Sequence, residues 1–161
     1  MTPLLPFFQW CQDTALGTGI RNSTYWFPWI EVFHLLGLAV LGGTILAVDM
    51  RVLGVILRRE PVARLAKSLQ PLMVAGLIVM LVSGVLLFLS EAMKCYENVP
   101  FRLKMIFLFA AILFTFTVRR RVTASLVEET APIRTWMKFM SVISLLLWSG
   151  VGVMGRGIGF Y

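Results

Sequence analysis

The chain has 161 residues, of which 58% are hydrophobic and only 14% charged, and its mean hydropathy is +0.84. One soluble core of this size cannot hide that much apolar side chain, so a soluble globular domain is excluded and the natural surroundings are lipid. The formal net charge is +7, but the cations sit in short runs between apolar stretches with no aromatic-interleaved basic motif, which excludes nucleic acid and points to an anionic membrane face.

The first eighteen residues lack a positively charged leader, and Pro3, Pro6, Gln9 and Asp13 interrupt their apolar run. They do not read as a cleavable signal peptide. Leu4, Leu5, Phe7, Phe8 and Trp10 beside Gln9, Gln12 and Asp13 predict a short segment lying at the membrane interface. A bilayer core needs about 20 mostly apolar residues per helix, and four stretches supply them at 28–48, 71–90, 101–118 and 139–154. The last two are short and borrow flanking residues whose Arg or Lys can snorkel. Tyr25, Trp26, Trp29, Tyr96 and Trp136 fall near the ends, where interfacial aromatics belong. The glycine-containing tail, Gly150 to Gly159, is expected to be flexible after Met154. The expected fold is all-α: an integral membrane four-helix bundle with an N-terminal interfacial segment, residues 1–161 forming a single membrane domain.

The loop after the first span holds Arg51, Arg58, Arg59, Arg64 and Lys67, and the loop after the third holds Arg119, Arg120, Arg121, Arg134 and Lys138. The middle loop and its flanks hold only Lys94, Arg102 and Lys104, and each terminal region has one Arg. The bias puts both basic loops in the cytoplasm and both termini outside, in agreement with an even number of spans. Cys11 and Cys95 then share the outer side, where an oxidising compartment would permit a disulfide, although two unrelated cysteines are the plainer reading.

On the first span, Glu31, His34, Leu38, Gly42, Ile45 and Asp49 follow steps of three or four and predict one helical face. Glu31 and Asp49 are five turns apart, about 27 Å along the axis. A charge deep in lipid costs about 2.5–3.5 kcal/mol on insertion scales, so this face is expected to turn into the bundle. Matching small or polar stripes occur at Gly76, Ser83 and Ser90, at Lys104, Ala111 and Thr115, and at Ser141, Ser144, Trp148 and Gly152. Helix packing explains such stripes without any ligand.

The single histidine excludes a bis-histidine haem within one chain and a multi-histidine zinc or copper site. One b-type haem remains compatible, with His34 on the iron and Lys104, a methionine or an open position opposite. Lys104 enters the third span from the same side as His34, Glu31 lies one turn from His34, and Gly42, about 12 Å below it, leaves room for a flat group. A cofactor-free cluster, with His34 hydrogen-bonded to Glu31 or to a neighbouring helix, is the alternative. No nucleophile elbow, phosphate loop, CxxC or paired-carboxylate motif is present, which leaves an enzymatic activity open. The nine methionines read as lipid-facing or packing residues.

The runs Trp29-Ile30-Glu31-Val32-Phe33-His34-Leu35-Leu36-Gly37 and Asp49-Met50-Arg51-Val52-Leu53-Gly54 resemble a group of small bacterial four-helix membrane proteins of unknown function. So do Asn98-Val99-Pro100-Phe101-Arg102-Leu103-Lys104 and the stretch from Ser144-Leu145-Leu146-Leu147-Trp148 to Gly155-Arg156. The resemblance covers most of the chain and implies the fold without an activity. More loosely, His34 with Lys104 is similar to the early histidine and later lysine of the haem-containing bacterial membrane protoporphyrinogen oxidases. The chain lacks the further histidines of those enzymes and their proline-arginine motif after the first helix.

Together these readings describe a multi-pass bacterial inner-membrane protein with both termini periplasmic, most simply a redox-associated component able to hold one b-type haem, with His34, Lys104 and Glu31 as site residues. A cofactor-free subunit working with other membrane subunits or as a homo-oligomer is the first alternative, and a small transporter the second. Reporter fusions after Glu60 and after Glu128 should read cytoplasmic and one after Glu97 periplasmic. An externally accessible tag near Glu128 would reverse the topology.

Overall fold

The computed structural model describes residues 4–119 and 135–160. All the regular structure in them is helical. Two short helices, α1 (Leu5–Gln12) and α2 (Ala15–Arg21), precede the long α3 (Trp26–Leu53) and α4 (Val62–Ser90). Short α5 (Ala92–Glu97) leads into α6 (Val99–Phe114), which runs on as a π turn, Thr115–Arg119. The last long helix is α7 (Thr135–Gly157), followed by a 3-10 turn at Ile158–Phe160. Arg120, Arg121 and Arg134 of the second basic loop lie outside the described residues.

Local chemistry sets the helix ends. The Ser23 hydroxyl accepts from the Tyr25 and Trp26 backbone N–H groups, at 3.3 and 3.2 Å, just before α3. At its other end Gly54 takes φ +78°, which lets its own N–H and that of Val55 reach back to the carbonyls of Arg51 and Met50. Asn98 caps α6 by accepting from Phe101 N–H at 3.0 Å, with Pro100 in the first turn, where no N–H is needed.

Four helices are long and apolar enough to cross a membrane. At most 28% of each apolar window is buried inside the protein, so most of the apolar surface, including Leu35, Ile78, Val82, Ile106, Phe109 and Leu146, faces outward as in a bilayer-embedded bundle. All four spans extend beyond their expected limits. The second helix begins at Val62 instead of Pro71, and Pro71 sits exposed within it. In lipid an interrupted backbone has no water to turn to, so the helix runs through the proline at the loss of one hydrogen bond. The tail is also helical to Gly157, where flexibility was expected after Met154. Three of its five glycines are contact points: Gly150 lies against the Phe107 ring, Gly155 against the Lys104 stem and Gly157 against Pro100. Asn98 Nδ2–H fixes the end by donating to the Ile158 carbonyl at 3.3 Å.

The helices pack as two hairpins, α3 with α4 and α6 with α7, joined mainly where α3 meets α7. The two longest helices, α3 and α4, approach closely. A Cβ on Gly76 would lie 3.0 Å from Leu41 N and 3.2 Å from the Gly37 carbonyl oxygen. Around this crossing Leu41, Ile45, Leu77, Met80, Ala111, Trp148 and Val151 form the main core. Val52, Val62 and Met137 form a second cluster, with Val118 and Met140 packed on it, where both basic loops emerge; we call this the basic end. The N-terminal segment is a packed helical cap on the opposite end. Phe8 lies edge-on to Phe88 and Tyr96, Gln12 Oε1 accepts from Met93 N–H at 2.8 Å, and Phe7, Trp10 and Leu16 stay exposed, as an interfacial segment requires.

Gly76→Val should therefore overpack the crossing and cost about 1–3 kcal/mol, read as a lowered thermal midpoint of the detergent-solubilised protein. Gly43→Ala, where an added Cβ meets nothing within 4 Å, should leave the midpoint unchanged or raised.

Candidate functional site: an imidazole and an ammonium near the capped end

His34 points from α3 onto α4. Its Nδ1 lies 2.8 Å from Ser83 Oγ, and the ring packs over Gly84, 3.3 Å from where a Cβ would be. The Ser83 hydroxyl sits 2.5 Å from the Val79 carbonyl oxygen, one turn back along its helix. A hydroxyl has one proton, and that contact uses it, so the hydrogen-bond network assigns the proton of the second contact to Nδ1. Nδ1–H donates to Ser83 and Ser83 donates to Val79, the Met80 carbonyl also lies within hydrogen-bond reach of the ring, and in this tautomer Nε2 keeps its lone pair. Fixing one ring nitrogen in this way sets the tautomer and aims the other.

Lys104 is half-buried, its stem passing Gly155 of α7 with Cε and Nζ each 3.5 Å from a hypothetical Cβ. Its ammonium lies within coulombic range of both His34 and Cys95. One turn nearer the capped end, Phe88 and Phe101 stack with centroids 5.6 Å apart and ring planes 11° apart, bridging α4 and α6. The structure thus brings together an imidazole, an ammonium, two glycine faces and an aromatic pair.

Glu31 does not join them. It is exposed, and the hydrogen bond expected between Glu31 and His34 is replaced by the one to Ser83. The predicted α3 face holds at Ile45 and Asp49, both buried, but drifts toward the capped end, where Gly37 and Leu41 turn inward and an added Cβ on Gly42 would meet nothing within 4 Å. α3 keeps α4 beside it from Gly37 to Val52 and takes α7 as a second neighbour toward the basic end, so one straight stripe does not stay inside over its whole length. In the other stripes Gly76, Ser83, Ser90, Ala111, Thr115, Ser141, Ser144 and Trp148 are buried and Lys104 half-buried, whereas Gly152 is only partly buried and an added Cβ there would meet nothing within 4 Å. Ser83 could be read as a packing residue, but its pairing with His34 could not, since it depends on the register between two helices. Gly84 and Gly155 were missed altogether.

Cys11 and Cys95 are buried free thiols on α1 and α5, which pack together. Burial first, then the Glu91 carboxylate, push the Cys95 thiol up to about 11, with Lys104 and Lys94 acting in the opposite sense.

Fold and exposure pattern define a small multi-pass helical membrane protein. Residues 7–161 match a family described as "Family of unknown function (DUF6644)", and the chain belongs to that family. No curated protein and no solved structure matches the chain, so the looser likeness to haem-containing oxidases finds no support there.

Because the thiolate is the reactive form, Cys95 in the folded protein should react with maleimide at pH 8 roughly a hundredfold more slowly than after denaturation. The rate should climb only as pH rises toward about 11. Equal rates in the two states would show an open thiol.

Proposed function

We propose that this protein is a redox-associated inner-membrane component that holds one b-type haem at His34. The reading is supported above all by the chain of hydrogen bonds from Nδ1 through Ser83 to the Val79 carbonyl, which leaves Nε2 as an oriented lone pair. Histidines that bind metals are oriented in this way. The donor set suits a haem with one axial imidazole, and a single histidine suits no tetrahedral zinc or copper centre. Gly84 lets the ring lie flush with α4, and Lys104 would supply either the sixth ligand or the positive charge facing a propionate. When bound, the haem would supply one-electron chemistry; the chain orients the imidazole, balances charge and keeps water out with the Phe88–Phe101 pair. The cation bias of the loops supports a cytoplasmic basic end and periplasmic termini, which puts His34 in the outer leaflet.

The same relay also fastens α3 to α4, and a cofactor-free membrane subunit is the competing reading. A reduced-minus-oxidised spectrum of protein purified from haem-replete cells separates the two. A Soret band is expected in wild type, lost in His34→Ala and shifted in Lys104→Met. Ser83→Ala should keep the pigment at an affinity about 10–100-fold lower. A colourless, folded wild-type preparation overturns the haem reading and leaves the structural one.

A further inference from the structure

The loop joining α3 to α4, residues 54–61, is short and held in one shape. Its two feet are fixed, because Val52 and Val62 pack in one cluster with Met137. Gly54 ends α3 in the left-handed region, and its N–H and that of Val55 bond back to the carbonyls of Arg51 and Met50. Leu57 also takes a positive φ, +49°, which is uncommon outside glycine, and its carbonyl accepts from Glu60 N–H at 3.0 Å. Two arginines then tie the loop across itself. Arg51 Nε–H donates to the Glu60 carbonyl at 2.6 Å, and Arg58 Nε–H to the Gly54 carbonyl at 2.5 Å.

Two features of this loop face outward. Val55, Ile56 and Leu57 are consecutive aliphatic side chains, 59%, 40% and 47% exposed, at a tip where polar residues are the rule. The second feature is the pair of guanidinium groups. Each is oriented through Nε, and the Nη groups of Arg51 and Arg58 have no partner among the described residues. Arg59 is exposed beside them and has no such tie. Over residues 51–67 five cations stand against one acid, Glu60, so the charge complements an anion. Depth supplies the rest. α3 and α4 have 28 and 29 residues, about 42–44 Å at 1.5 Å per residue. That matches a bilayer measured with its headgroups, about 40–45 Å. The loop therefore sits at the level of the lipid phosphates, and the apolar phase nearest its tip is the acyl boundary.

We infer that the α3–α4 loop binds an anionic phospholipid of the adjoining leaflet, with the Nη groups of Arg51 and Arg58 on its phosphate and Val55, Ile56 and Leu57 among the acyl chains. A guanidinium fork matches phosphate geometry, which a lysine ammonium does not. The site depends neither on a haem nor on which face of the membrane the basic end meets. Native mass spectrometry of the full-length protein, titrated with dioleoyl phosphatidylglycerol or dioleoyl phosphatidylcholine, tests it. One phosphatidylglycerol should bind about tenfold or more tighter than phosphatidylcholine. Arg58→Lys keeps the charge and loses the fork, and should weaken that lipid about tenfold. Arg59→Gln removes a charge that nothing orients, and should weaken it by no more than about fivefold. Should Arg58→Lys fail to fold, Arg51→Lys reads the other fork. In nanodiscs, Ile56→Trp should add a fluorescence component quenched by phosphatidylglycerol brominated on its acyl chains. Binding that follows charge alone, with the lysine variants as tight as wild type, overturns the site, and so does equal binding of the two lipids. An added emission that brominated lipid leaves unquenched also overturns it, and turns the loop toward a soluble acidic partner.

Discussion

The backbones of α3 and α4 approach so closely at Gly37 and Gly76 that a Cβ at either position would come within 3.0 Å of the neighbouring helix. Lipid gives helices no hydrophobic reason to associate, so close packing and interhelical hydrogen bonds must hold them. This crossing supplies the packing, and the rest follows from its register. About one turn away, the His34 ring comes down on Gly84 with Ser83 beside it, and farther along α3 the Leu41 and Ile45 side chains reach the core shared with α6 and α7.

Glycines recur wherever a large group must lie flat against a helix. Phe107 rests on Gly150 and the Lys104 stem passes Gly155. α7 is thus a ribbon of contact positions where its composition alone suggests a loose tail. The bundle gains its tightness from missing side chains, while its large apolar residues mostly face outward.

Much of the fold was legible in the sequence because bilayer thickness and hydropathy govern helix number, and the four spans, the interfacial N-terminal segment and most of the polar stripes of α4, α6 and α7 are where those rules put them, while the α3 stripe drifts. Helix ends were less legible. Pro71 and the glycines near the C-terminus carry breaker signals that the demand for internal hydrogen bonding in lipid overrides. The site was half legible. His34 and Lys104 stand out because ionisable side chains are costly in a span, and both lie toward the capped end, His34 against α4 and the Lys104 stem against α7. Glu31 was assigned to them by helical spacing alone, whereas the true partner of His34 sits on another helix, at a register that no periodicity records.

The seam between the two hairpins joins α3, the first of the four long helices, to α7, the fourth. Helices that follow one another in the chain can pair as soon as both have entered the bilayer, because a short connection holds them at high local concentration. The seam has no such help and forms only once both hairpins are in place. Joining α3 to α7 is therefore the step that turns two separate hairpins into one bundle, and the order of events follows from the order of the helices.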